Sequence, residues 1–176
     1  MLNSKRSILT ALKKLDQLAP RPFEMIVGGG AAMICAYESP LSTVDIDAVL
    51  KPVSINEIKP AVQKIAKDLN LPVDWLNTWY SSFTHNLPQD FRDRLHFIFK
   101  GKKIKAYALG AEDLLILKCC AHRTKDIGHA RILIRKKANP VFVRNHLEKL
   151  MKKKLLQNNK AIEFLNDILD LEGIED

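Results

Sequence analysis

The stretch FEMIVGGGAAMICAYESPLSTVDIDAVL, residues 23–50, decides the fold. Residues 23–27 form a short apolar run with the composition of a strand, and they lead directly into Gly28, Gly29 and Gly30. Glycine permits positive φ and close backbone approach, so the segment reads as strand, tight turn and then a helix over residues 31–37, whose small apolar side chains suit packing on a sheet. Ser39 and Pro40 end that helix. Residues 43–50 are expected as a second strand, with Val44, Ile46, Ala48 and Leu50 on one face and Asp45 and Asp47 on the other. Two carboxylates held side by side repel, which raises a pKa or demands a cation. Mg²⁺ (or Mn²⁺) fits, because a hard cation takes one or two carboxylates and completes its shell with water and substrate phosphates. The other reading of the pair is an acidic patch on the solvent face at a strand end.

Outward from this stretch, the amino-terminal 16 residues pattern as an amphipathic helix with Ile8, Leu9, Leu12 and Leu15 on one side. Ser54 with Glu57 three residues later forms a capping-box signature for a helix through about residue 69, with Ile58, Val62, Ile65 and Leu69 as its apolar stripe. Residues 71–76 suggest a short third strand carrying Asp74, followed by a polar loop, 77–93, that contains Trp79, Tyr80 and Phe83. Residues 94–99 and 103–109, joined by a Lys-Gly-Lys turn, read as a hairpin. From Gly110 onward the pattern is helical, and Pro140 is well placed to open one of the helices. The fold class expected is α/β (α+β): a mixed β-sheet flanked by helices, followed by a helical C-terminal portion. Residues 1–110 would form the α/β core, and 111–176 a helical portion packed on it as one compact body.

A formal charge of +8 favours polyanionic partners such as nucleotides or nucleic acid, although a solvated basic surface accounts for it as well. The three cysteines cannot make a disulfide framework, and Cys35 falls in an apolar run, which points to a reducing cytoplasm. No stretch approaches the roughly 20 apolar residues of a membrane span, and the amino terminus lacks a secretory pattern. The glycine triplet is followed by no P-loop lysine and does not keep dinucleotide-fingerprint spacing. No histidine precedes His85 to support Ser39, Ser42 or Cys35 as a nucleophile.

The order Gly-Gly, helix and Asp-x-Asp resembles the signature of the nucleotidyltransferase-fold superfamily. The closer resemblance is to AbiEii-like bacterial proteins, which typically read Gly-Gly-x-Ala and then Thr-x-Asp-Ile-Asp. Here Gly29-Gly30-Ala31-Ala32 and Thr43-Val44-Asp45-Ile46-Asp47 hold those places. Those relatives commonly continue with an Asp-Trp-Leu-Asn segment and a helix bearing Lys and Arg-x-x-Asp, matched by Asp74-Trp75-Leu76-Asn77, Lys118 and Arg123 to Asp126. Two positions depart: the arginine often found two before the threonine is Leu41, and the acidic residue often found three after the last aspartate is His129.

The resemblance implies a nucleotidyltransferase using a nucleoside triphosphate and Mg²⁺. Gly28, Gly29 and Gly30 with the following helix start would cradle the triphosphate. Asp45 and Asp47 would hold the metal, with Asp74 as a third carboxylate; the plainer reading of Asp74 is a turn or capping residue. Thr43, Lys118, Arg123 and Asp126 would complete nucleotide binding, with Asp126 orienting a lysine or arginine. Lys118, His122, Lys125 and His129 are spaced to share one helix face, either as a basic stripe or as a solvated surface. Implied acceptors are RNA, tRNA or protein, with a toxin-antitoxin or phage-defence role and an antitoxin partner. The rival reading is a degenerate module of the same fold that binds nucleotide, nucleic acid or a partner protein.

Overall fold

A computed structural model describes residues 2–174. They divide into an α/β unit, residues 2–82 with Leu95–Leu109, and a helical unit, Phe83–Arg94 with residues 110–174.

In the α/β unit five strands form one mixed sheet in the order β3-β2-β1-β5-β4: β1 (Phe23–Val27), β2 (Ile46–Lys51), β3 (Leu76–Asn77), β4 (His96–Lys100) and β5 (Ile104–Ala108). Strand β1 lies at the centre, antiparallel to β2 and parallel to β5. Its Met25, Ile26 and Val27 are all buried, as expected for a strand covered on both faces. Helix α1 (Lys5–Leu18) opens with a capping box between Ser4 and Ser7 and buries Ile8, Ala11, Leu12 and Leu15, the one-sided stripe of an amphipathic helix. It packs against α2 (Gly29–Tyr37) and α3 (Ile55–Leu69), and α2 lies on β2, β4 and β5. The Ser54–Glu57 capping box forms as the sequence signals.

Two strand expectations are corrected. Strand β2 begins at Ile46, not at residue 43, and Val44 is 58 % exposed instead of joining the core stripe. The chain is held out of line there because Thr43 forms an isolated bridge with Leu2. Strand β3 is only two residues long. Pro72 to Trp75 close a turn, in which the Trp75 N–H donates to Pro72 O at 3.1 Å. Trp75 is fully buried, and its Nε1 donates to Val62 O of α3 at 3.0 Å.

The helical unit is built on α4 (Ala111–Ala121), which packs against α5 (Ile127–Arg135), α6 (Pro140–Lys152) and α7 (Lys160–Glu172). Pro140 takes the first turn of α6 and Asn139 caps it. Asp113, fully buried, is paired with Arg94, whose guanidinium also reaches Asp90 and lies over the Phe142 ring. Arg131 and Arg135 of α5 grip Glu172 of α7. No helix among the described residues is long and apolar enough to cross a membrane.

Candidate functional site

Strand β1 delivers the chain to Gly28, whose N–H donates to the backbone carbonyl of Asp47 at 2.9 Å. That bond ties the start of α2 to the strand carrying the acids. Gly29 has φ +57°, and a Cβ placed on it would stand 2.7 Å from Asp47 Oδ2. A Cβ on Gly30 would stand 2.8 Å from Thr43 Oγ1. A carboxylate and a hydroxyl thus rest directly on the backbone at the beginning of α2. The positive end of the helix dipole stabilises the Asp47 charge there.

Asp45 stands just before β2 and is held from two sides. The Thr43 hydroxyl lies 3.1 Å from the Asp45 carbonyl and 3.3 Å from its Oδ1. Asn77 Nδ2 donates to Asp45 Oδ2 at 3.1 Å. Register explains this contact, since Asp47 of β2 pairs with Asn77 of β3. Asp45 and Asp47 are both half-buried, while Ile46 and Ala48 turn to the core. The structure therefore gathers Gly28, Gly29, Gly30, Thr43, Asp45 and Asp47 in one place.

Asp74 lies outside that cluster of contacts. It is exposed in the turn before β3, and the side chain that the sheet sets against the acid pair is Asn77. Sequence reading placed Asp74 on a strand and passed over Asn77, although Asn77 ends the Asp-Trp-Leu-Asn motif. The aromatic loop also divides. Tyr80 is an anchor, its hydroxyl donating to Ile26 O at 2.6 Å and its ring facing Gly28, whereas Trp79 is 65 % exposed.

In the helical unit Lys118, Arg123 and Asp126 meet. Lys118 Nζ lies 2.5 Å from Asp126 Oδ1, and Arg123 Nε lies 2.6 Å from Oδ2. Lys118 and Asp126 are buried and Arg123 is exposed. Burial alone would push the Asp126 carboxyl up, but the Arg123 hydrogen bond and the Lys118 charge hold it below the usual carboxylate range. Both ring nitrogens of His129 are shielded from solvent without a hydrogen-bond partner. Burial, reinforced by the Lys118 charge, brings His129 down to about 4, so it is neutral at pH 7. A continuous basic stripe through His122 and Lys125 does not form. Helix α4 ends at Ala121, His122 turns to φ 38°, and Thr124–Asp126 is a separate 3-10 turn.

The donors at the acid pair are hard oxygens, which suits one Mg²⁺-type cation shared with phosphate. Among the described residues no group of three or more His, Cys, Asp or Glu is placed to hold a metal ion. A family model described as "Nucleotidyltransferase of unknown function (DUF6036)" matches residues 6–165. No curated protein and no solved structure matches the chain.

Proposed function

The chain belongs to this family of nucleotidyltransferases of unknown function, and from that premise we propose that it transfers a nucleotidyl group from a nucleoside triphosphate to an acceptor hydroxyl on RNA, tRNA or protein. The observation that carries the reading is the seating of Asp45 and Asp47 at the glycine turn where α2 begins. Helix starts and glycine backbones receive phosphate, yet two carboxylates beside a triphosphate repel it unless a cation lies between them. Asp45 and Asp47 would hold Mg²⁺ or Mn²⁺, which when bound neutralises charge on the phosphate oxygens. Thr43 and the glycines shape the phosphate side of that place. Acting on RNA or on a protein, the same transfer would serve a toxin or phage-defence role.

The test is incubation with each labelled triphosphate, Mg²⁺ and a pool of RNA or lysate acceptors. Label transfer is expected with the native protein. It should fall by a hundredfold or more in Asp45→Ala/Asp47→Ala, on the order of the several kcal/mol that metal-held charge stabilisation supplies. Transfer that persists in the double variant would remove the acid pair from the mechanism. One observation favours a second reading, a module of this fold that binds nucleotide without transferring it: an amide, Asn77, stands against the pair where a third acid was expected. Triphosphate binding with no transfer to any acceptor would select it.

A further inference from the structure

We infer that Asn77 limits the Asp45–Asp47 pair to one divalent cation and is the positioning residue that aims Asp45 at it. This inference rests on the metal-dependent reading above. Asn77 is only 5 % exposed, and both ends of its amide are used. The Trp79 backbone N–H donates to Asn77 Oδ1 at 3.1 Å. A backbone N–H can only donate, so the oxygen of the amide must face it and the NH₂ must face Asp45. The donor 3.1 Å from Asp45 Oδ2 therefore has a fixed orientation. Strand register supports it independently, because β3 contributes only Leu76 and Asn77 to the sheet and Asn77 pairs with Asp47.

The charge count follows from this geometry. A carboxylate at residue 77 would face Asp45 across the distance of one hydrogen bond, and three acids in that space would require a second cation, as in paired-metal phosphoryl-transfer sites. The amide has the same shape and carries no charge. Its N–H satisfies one oxygen of Asp45 and restricts rotation of the carboxylate, in the manner of outer residues that orient metal ligands. The nearest acid in sequence, Asp74, is exposed in the preceding turn. The pair therefore has the charge for one cation and a neutral partner that holds it still.

The test counts bound Mn²⁺ by electron paramagnetic resonance, titrating Mn²⁺ alone into the native protein, Asp45→Asn, Asn77→Asp and Asn77→Ala, with circular dichroism to confirm folding. The native chain is expected to bind one Mn²⁺, and Asp45→Asn to lose it. Asn77→Asp should bind a second Mn²⁺, since the added carboxylate supplies the charge for it. Asn77→Ala should keep one Mn²⁺ with affinity lowered roughly 10- to 100-fold. Two ions on the native chain, or a folded Asn77→Asp that still binds one, would overturn the inference and leave the nucleotidyl-transfer reading standing. Unchanged affinity in Asn77→Ala would overturn the positioning role even where Asn77→Asp fails to fold. Absence of any Mn²⁺ on the native chain would overturn the inference, while the labelled-triphosphate assay decides the transfer reading separately.

Discussion

At the scale of single residues, the two left-handed glycines separate strain from crowding. Gly29 has φ +57° with Asp47 Oδ2 at 2.7 Å from a would-be Cβ, whereas Gly173 has φ +66° and nothing within 4 Å. Placing an L side chain in that backbone region costs about 1–2 kcal/mol. Gly173→Ala should lose about that much in urea denaturation. Gly29→Ala should lose more, and the excess should disappear in an Asp47→Ala background; an excess that survives there would show that Asp47 is not what the methyl strikes. The closeness of Asp45 and Asp47 was legible because residues two apart in an extended segment share a face, whereas Thr43 entered only through the resemblance. Asn77 was not legible, because its role depends on where β3 begins. A strand cut to two residues by Pro72 and the buried Trp75 leaves no alternation from which to read that register.

At the scale of elements, α1 and the β4–β5 hairpin are joined by one carboxylate. Asp16 accepts the N–H groups of Lys102, Lys103 and Ile104 at 3.0, 2.8 and 2.8 Å. A Cβ on Gly101 would stand 2.2 Å from the Asp16 carboxyl. Burial alone would raise the pKa of Asp16, but those N–H bonds and the Lys103 charge hold it below the usual range. A carboxyl lowered on folding gives stability that is present above its unfolded pKa and is lost as pH falls through the folded value. Asp16→Ala should therefore cost roughly 1–3 kcal/mol at pH 7, the scale of hydrogen bonds to a charged group, and faster amide exchange at residues 102–104 should report it. The cost should vanish at low pH, where native Asp16 is itself protonated. The hairpin was legible from its own residues and Gly101. Its tie to a helix 86 positions earlier was not, since nothing local marks so distant a partner.

At the scale of the whole molecule, acid acts on the two units through different groups. Asp16 is held low in the α/β unit, and Asp126 and Glu172 are held low in the helical one, Glu172 at about 2 by Arg135 and Arg131. The helical unit also contains His129, lowered from 6.5 to about 4 by burial and Lys118, against a smaller opposite effect of Asp126. A histidine lowered on folding binds its proton more readily when unfolded. Its contribution is present above pH 6.5 and is lost as pH falls towards 4, at up to about 1.4 kcal/mol per pH unit for one proton. Urea midpoints should therefore fall between pH 6.5 and 4, before the carboxylates titrate, and His129→Phe should flatten that interval; an unchanged slope would place the early loss elsewhere. The helices themselves were foreseeable from capping residues and from Pro140, each of which acts within one turn. Asp126 was expected to orient a lysine or an arginine, and in the structure it meets both Lys118 and Arg123. The break at His122 that brings them together left no pattern in the spacing. The chain has two tryptophans, one on either side of β3. Trp75 is wholly enclosed and Trp79 is 65 % open to water, with its amide on Asn77. The native emission spectrum is thus expected to hold two colours, a blue one that follows folding and a red one within reach of a soluble quencher.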